Sequence, residues 1–483
     1  MRTRDAPRGS YGTVLSILFA AGLIYTMLLT LLLPAVRTLA RGLHGSEIDV
    51  TWVLTAYVLS GAVATPIVGR LGDMYGKKRA LVCLFITVAA GTLVTALSTS
   101  LAPMVIGRLL AGVASGVFPL AYGIIRDEFD GERVATAIGV ISVSVGIGTG
   151  AGVVLSGYIL EVFSYHWLFW FPFAATVTVA VAAARWIPES PLRPGGSVDW
   201  RGGALMAAGL LATLLAISEA TVWRWGSPKT LGLLAGGLLI LLVWIRVELA
   251  TREPLIDMRT MALTAVWRTN LAAALFGFGM FAGFSIVPQF VEQPHVTGYG
   301  YGASVIAAGV FLLPATVMMA LIGPLAGRIE RAVGSKPPLV LGGAFGACGF
   351  VLIAASHTIH WHVYAGMTLI GIGLGLAFAA MPNLIVQAVP HAQTGAATAI
   401  NTIARVVGGA VGIQICATIV AQHISGPLGL PAERGFVIAF WLCAAGSLGA
   451  CVIAMFVPGR GPRARGRPVQ TAVSSRSETI LAP

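Results

Sequence analysis

The residues best placed to do chemistry are few. The stretch Gly69-Arg70-Leu71-Gly72-Asp73-Met74-Tyr75-Gly76-Lys77-Lys78-Arg79 sets one carboxylate among three glycines and four cations. A lone carboxylate there can accept hydrogen bonds from an exposed helix N-terminus, which carries partial positive charge. Arg108 and Arg405 lie inside apolar runs. A charge at mid-membrane costs ~2.5–3.5 kcal/mol on insertion scales, so such residues face an interior and usually serve function. None of the 19 acids falls at the centre of an apolar run; Glu161, Glu219, Glu248 and Glu292 come nearest, towards run ends. Asp127, Glu128, Asp130 and Glu132 stand beside Arg126 and Arg133 and read as a charge network joining two helices. His357, His360 and His362 have metal-like spacing but no evident carboxylate or thiolate partner, so they read as a solvated loop and no metal is expected. Thr297-Gly298-Tyr299-Gly300 mimics a potassium filter, yet a filter needs a re-entrant loop in a four-fold pore. No paired-carboxylate, Ser/His or metal constellation marks a membrane surface, which argues against an integral-membrane lipid-modifying enzyme. No catalytic residue and no cofactor is assigned.

The elements that must position these residues are membrane helices. Of 483 residues, 57% are hydrophobic and 10% charged, with a mean hydropathy of +0.86; a soluble domain is about a quarter charged. A span needs ~20 apolar residues. That rule places spans at 12–36, 50–69, 80–98, 103–125, 134–160, 166–187, 201–218, 229–249, 266–291, 302–326, 337–356, 361–382, 393–421 and 434–457. Nothing in the first ten residues resembles a cleaved signal peptide. Cys83, Cys348, Cys416, Cys443 and Cys451 all lie in apolar runs and read as packing residues, not a disulfide framework.

The cations divide unevenly. With the amino terminus inside, 24 Lys and Arg fall on cytoplasmic segments and five on external ones: Arg37, Arg41, Arg224, Lys229 and Arg434. That bias orients the chain with both termini cytoplasmic in a cell (plasma or inner) membrane. It also explains the net charge of +12 as topology and contact with anionic lipid, not nucleic-acid binding. Arg460, Arg463, Arg465 and Arg467 lie in a Pro- and Gly-rich tail, 458–483, that is expected to be disordered and to touch lipid.

The opening string has an echo. Gly327-Arg328-Ile329-Glu330-Arg331-Ala332-Val333-Gly334-Ser335-Lys336 repeats its Gly-Arg pair and the glycine seven residues on, with Arg331 where Asp73 stood. Two related halves with a site between them are a transporter pattern. Gly69, Leu71, Asp73, Gly76, Lys77 and Lys78, followed by Arg79, also resemble the loop between the second and third helices of major facilitator superfamily transporters. The spacing of the two loops leaves room for two more spans, supplied by Asp199 to Ala250, so the resemblance narrows to the 14-span drug:proton antiporter (multidrug efflux) branch. It covers nearly the whole chain, from about Tyr11 to Val457.

The resemblance extends to further motifs. Arg108-Leu109-Leu110-Ala111-Gly112-Val113-Ala114-Ser115-Gly116 is similar to a span-four motif whose arginine the family links to proton transfer; the alternative is an arginine capping carbonyls of a neighbouring helix. Gly148, Gly152, Ser156 and Gly157 resemble the antiporter motif of span five, with Val153 in place of its proline; the same residues would also serve as a small-residue packing face. In span one the branch's embedded aspartate becomes Tyr25 and its asparagine Thr30, while Pro34 matches. Coupling then falls to Arg108 with Glu161, Glu219 or Glu292, to Asp73, or is absent. Trp52 and Tyr57 fit the branch's span-two pattern, Trp52 as an interface residue and Tyr57 as a cavity residue. Asn401 and Arg405, four apart on one helical face, resemble the span-thirteen stretch. They line the cavity, or Arg405 pairs with the gate near Asp73, or both serve helix packing. Gln289 and Asn270 flank span nine.

The expected architecture is an all-α integral-membrane bundle of the major facilitator type. It comprises an N-tail (1–11), an N-terminal six-helix half (12–187), a linker with two extra spans (188–265), a C-terminal half (266–457) and the basic tail. The resemblance implies an exporter of amphipathic small organic molecules, antibiotics among them, exchanging protons by alternating access and acting as a monomer. Export of an endogenous metabolite or lipid, or proton-independent facilitation, stays open beside it. The substrate cavity is expected at Tyr25, Thr30, Tyr57, Gln289, Asn401 and Arg405. The gate is expected at Gly69, Asp73, Gly76, Lys77, Lys78 and Arg79.

Overall fold

In a computed structural model, residues 10–32, 35–43, 47–189, 199–425 and 430–458 are described. The N-tail through Gly9, Pro34 and the tail beyond Pro458 lie outside them, as do the side chains of Arg37 and Val153. Among the described residues, 14 helices are long and apolar enough to cross a membrane. In chain order, spans 1 to 7 are Tyr11–Thr30, Trp52–Tyr75, Lys77–Leu97, Leu101–Glu128, Arg133–Val162, Trp167–Trp186 and Trp200–Ser218. Spans 8 to 14 are Pro228–Ala250, Thr264–Val291, Ala307–Val333, Lys336–Ala355, His360–Ala388, His391–Gln422 and Glu433–Met455.

Local chemistry starts these helices where they start. Ser10, Asp199, Ser227 and Ser304 each accept a main-chain N–H with the side chain at an N-cap, which satisfies a donor the helix leaves orphaned. Pro66, Pro288, Pro314, Pro324 and Pro382 sit inside spans, where packed neighbours make the lost backbone bond tolerable. A 3-10 turn, Val113–Gly116, interrupts span 4, and there the Ser115 hydroxyl donates to Gly61 O at 2.7 Å.

The first six spans and the last six each enclose a core of their own. The halves meet along two seams, span 5 against span 10 and span 2 against span 13. At the first seam a Cβ on Gly139 would lie 2.6 Å from Gly323 O, so the backbones touch. Spans 7 and 8 pack on each other, and span 7 leans on spans 2 and 13. Only 17% of span 8's apolar stretch is buried; Leu238, Leu239 and Leu242 face outward, towards lipid. A two-stranded hairpin, β1 (Ile424–Ser425) with β2 (Leu430–Pro431), precedes span 14.

Three expectations need correction. The opening string is not a loop of three turn glycines: helix runs on through Tyr75, and only Gly76, at φ 109°, leaves it. Likewise the echoed string stays helical to Val333 and turns at Gly334, φ 85°. A run of charged residues ends an apolar window long before it ends a helix, because i→i−4 bonds do not depend on side-chain polarity. His357 is not a solvated loop residue. It is 8% exposed; its Nε2 pairs with Glu433 Oε1 at 2.7 Å, and Nδ1 lies 2.9 Å from Ile353 O. His360 stacks on Phe311. Cys416, Cys443 and Cys451 are buried, whereas Cys83 and Cys348 face outward.

Candidate functional site: a two-ended latch and an aromatic centre

At the basic end of the bundle the two halves are locked by helix termini. Span 2 brings Asp73, 2% exposed, to the first turn of span 13. Asp73 Oδ1 accepts from Gly395 N at 3.2 Å and Oδ2 from Ala396 N at 3.1 Å. A carboxylate at a helix N-terminus is favoured both by free N–H groups and by the aligned peptide dipoles. The approach requires glycine on both sides: a Cβ on Gly69 would lie 2.7 Å from Gly395 O, and one on Gly395 2.6 Å from Gly69 O.

Span 4 supplies the opposite charge to the opposite pole. Arg126 donates to Val389 O at 2.9 Å and Pro390 O at 3.3 Å, just past the end of span 12, and to Thr394 Oγ1 at 2.5 Å. Cations are favoured at carbonyl ends. Lys77, 2% exposed, ties the two together, 2.6 Å from Asp127 Oδ2 and 3.8 Å from Asp73 Oδ1. Arg79 reaches Glu189 Oε2 at 3.5 Å from an exposed position, and Lys78 is half-buried. Sequence reasoning read Arg126 only as part of a charge network. Its place at the end of span 4, on the same side as the Gly69–Arg79 string, was the available signal.

A strap from the extra spans touches the same helix start. Gln393 Nε2 donates to Asp257 Oδ2 at 3.3 Å, and Thr260 Oγ1 donates to that oxygen at 3.0 Å. Burial pushes the Asp257 carboxyl up, but the bonds from Thr260, the Arg259 amide and Gln393 outweigh it, so its pKa falls below the usual value. Glu248, 2% exposed, holds the strap's other side, accepting from Trp244 Nε1 at 2.9 Å and Ile256 N at 3.3 Å. Between strap and latch lies a cavity of about 260 Å³ lined by Arg70, Arg252, Asp257 and Gln393 among others.

Away from the latch, deeper in the bundle, the chemistry changes. Arg108, 1% exposed, donates from Nη2 to Leu28 O at 3.0 Å and from Nε to Val53 O at 3.2 Å, with Cζ 4.1 Å from the centroid of the Tyr57 ring. Leu28 is in the last turn of span 1, which ends at Thr30, so Arg108 caps carbonyls of a neighbouring helix. Tyr57 donates its hydroxyl to Tyr25 O at 3.1 Å. Tyr25 meets Phe118 edge-on at 5.5 Å, and Phe118 stacks on Tyr122 at 6.0 Å. Across the midline, Arg405 Cζ lies 4.3 Å from the Phe378 ring centroid, with the Tyr122 and Tyr25 phenols in electrostatic reach.

The other expected site residues separate from this centre. Asn401 Nδ2 donates to Asn270 Oδ1 at 3.0 Å, so that pair joins spans 13 and 9. Arg405 does not pair with Asp73: ten residues of helix, about 15 Å, divide it from the Gly395 amide that Asp73 holds. Thr30 donates to Thr26 O at 3.0 Å and Gly148 O at 3.4 Å, and a Cβ on Gly148 or Gly152 would overlap Thr26 or Thr30. Those glycines therefore seat span 1, while Gly146 and Gly150 on the same helix face Met319 and Thr316 of span 10. Ser156 is buried on span 5 and Gly157 half-buried. Gln289 is exposed and bonds within its own helix. Glu161 is exposed, and Glu219 and Glu292 are half-buried, all at the end away from the latch. Glu330 was missed, because its span runs past the apolar window. It is 3% exposed and accepts from Ser335 Oγ at 2.7 Å, on the helix that forms the seam with span 5.

This geometry defines a class: a multi-pass membrane bundle of two facing halves, latched at one end, with a polar-aromatic centre between them. A sequence profile described as Major Facilitator Superfamily matches residues 18–413, and the chain belongs to that superfamily. Two relatives are named for export and one for multidrug transport. The tetracenomycin C resistance and export protein of Streptomyces glaucescens is 27% identical, over 81% of this chain and 72% of that protein. The multidrug transporter protein MdtP of Bacillus subtilis is 26% identical, over 76% and 67%. The cephamycin export protein CmcT of Amycolatopsis lactamdurans is 29% identical, over 84% and 83%. An uncharacterised MFS-type transporter of Mycobacterium tuberculosis, 26% identical, is longer; the chain spans 59% of it. Among solved structures, the human organic anion transporter MFSD10 superposes at a TM-score of 0.65, 17% identity, over 93% of this chain and all of that one. The proton:xylose symporter XylE gives 0.64 at 13% identity, over 93% and 96%. These two share the fold.

Proposed function

We propose that the chain is a secondary active exporter of amphipathic small organic molecules, working by alternating access. The observation that carries this reading is the latch: Asp73 on the start of span 13 and Arg126 on the end of span 12. Both contacts join residues of one half to helix ends of the other, so rocking the halves breaks them together. Residues 12–187 and 266–457 are the rocking halves in this reading, and 188–265 the insert. The latch end is cytoplasmic by the positive-inside bias, with both termini on that side of the cell membrane. Opening the latch loads the centre from the cytoplasm, and closing it commits the substrate outward. The names of two export proteins and a multidrug transporter support outward movement of drug-like compounds, and a single chain is the working unit we assign.

Proton antiport is the coupling we assign, with Asp73 and the acids at span ends as candidate carriers. One observation favours a second reading, proton-independent facilitation: Glu161, Glu219 and Glu292 sit at one end and Asp73 at the other, with aromatic residues and arginine between them. Purified protein in liposomes with an acidic lumen separates these. Uptake of a fluorescent amphiphile that dissipates the gradient in step establishes antiport. Uptake with lumenal pH unchanged establishes facilitation. Turnover of vesicle lipid without uptake would overturn the transporter reading altogether.

A further inference from the structure

We propose that Arg405 is an anion subsite, and that the centre selects substrates carrying one negative charge on an aromatic body. The inference rests on the exporter reading and names its substrate class. Arg405 is 7% exposed and lies deep in span 13. The structure gives it an aromatic face, Phe378, and two phenols in electrostatic reach. No hydrogen bond or ion pair satisfies it among the described residues. Arg108 shows what a satisfied embedded arginine looks like here, with two carbonyls and a ring. Arg405 therefore holds a planar fork of N–H donors in reserve.

A buried charge without hydrogen-bond partners is costly. A carboxylate or sulfonate oxygen pair removes that cost by bidentate, charge-assisted bonds, which suit guanidinium better than any other side chain. The neighbouring side chains suit the remainder of such a molecule in chemistry. Tyr25 and Phe118 come from one half and Phe378 from the other, so once the halves part these rings are the surfaces on which a flat apolar body would stack with its anionic group at Arg405. Among the described residues no carboxylate shares the middle section: the buried acids Asp73, Glu248 and Glu330 lie at the latch end. A cationic amphiphile would face an uncompensated guanidinium, whereas a neutral one would leave it unsatisfied.

The test uses three probes with one naphthyl body: a carboxylate, its primary amide and the matching ammonium. Binding is read by tryptophan quenching of the purified full chain in neutral detergent. Uptake is read in phosphatidylcholine vesicles, so that no anionic lipid competes. The expected result is carboxylate affinity about 10- to 100-fold above the amide, with the ammonium weakest. Arg405→Gln should bring the carboxylate down to the amide and leave the amide unchanged, while Arg405→Lys retains part of the preference. Equal affinities in the wild type, or tighter ammonium binding, overturn the subsite without relying on any variant. Uptake of amide and ammonium but not carboxylate also overturns it, and leaves the exporter reading standing. Carboxylate-selective binding with no uptake of any probe leaves the subsite standing and sinks the exporter reading. If no probe binds, the subsite is wrong.

Discussion

Replacing Asp73 by asparagine removes one negative charge from the latch and little else. The side chain keeps its shape, and Lys77 keeps its 2.6 Å partner in Asp127, so the protein should still fold and reach the membrane. One carboxylate oxygen becomes an NH2 group aimed at a main-chain N–H, so one of the two bonds to Gly395 and Ala396 is lost. A hydrogen bond to a charged group contributes ~1.5–3 kcal/mol. The interaction with the helix N-terminus contributes a further ~0.3–1 kcal/mol, and up to ~2 where buried. The closed state should lose roughly 2–4 kcal/mol, shifting the closed-to-open ratio roughly 30- to 1,000-fold. The assay is a distance distribution between spin labels at Arg79→Cys and Arg331→Cys, both exposed positions, in a cysteine-free background. The expected result is a longer, broader distribution and a sharp fall in efflux, because a carrier held open at this end cannot reset. An unchanged distribution with normal efflux would refute the reasoning.

Other variants separate the remaining parts. Gly69→Val places side-chain atoms where Gly395 O now sits; it should open the same end, and combining it with Asp73→Asn should add little further. Arg108→Met strands the Leu28 and Val53 carbonyls, at ~1–3 kcal/mol each, so thermal unfolding should come at distinctly lower temperature. Arg405→Gln should leave the unfolding midpoint unchanged or higher, since no hydrogen bond or ion pair among the described residues satisfies that charge; a large drop would contradict the contrast between the two arginines. Asp257→Ala should free the strap and speed tryptic cleavage at Arg252 and Arg259. The Asp257 carboxyl is held below its ordinary pKa, so the strap's added stability is present above about pH 4 and lost as pH falls through the depressed value. Cleavage should therefore not vary between pH 6 and 8, and a change in that window would assign the tether to another group.

Much of the bundle was legible because hydrophobic length is a one-dimensional signal. Span 3 was placed at 80–98 and is Lys77–Leu97. Span 10 was cut at 326 because Arg328 and Arg331 break the apolar run, and the cut hid Glu330 as a buried residue. The Gly69–Arg79 string was legible as a special segment from its charges and glycines. Its partner was not, since main-chain N–H groups at Gly395 and Ala396 carry no side-chain signature. Arg405 and Asn401 share a helical face by spacing, yet one meets Phe378 and the other Asn270. Spacing reports a shared side, and the crossing angles of spans 9, 12 and 13 decide what each residue meets there. His357 and Glu433 are 76 residues apart, beyond the reach of any local pattern.

Because the strike plate of the latch is main chain, it has unusual genetics. No substitution at Ala396 can delete the N–H that Asp73 holds, short of proline. At the Asp73 pole the lock is thus vulnerable at the carboxylate and at the two facing glycines, while the amides it grips are insulated from point mutation. Suppressors of Asp73→Asn cannot arise by restoring a lost partner, since the partner never left. They should arise at distant positions that penalise the open arrangement, such as the seam of spans 5 and 10 near Gly139 and Gly323. Selecting revertants would in that way map the seam of spans 5 and 10 from a defect made in that of spans 2 and 13.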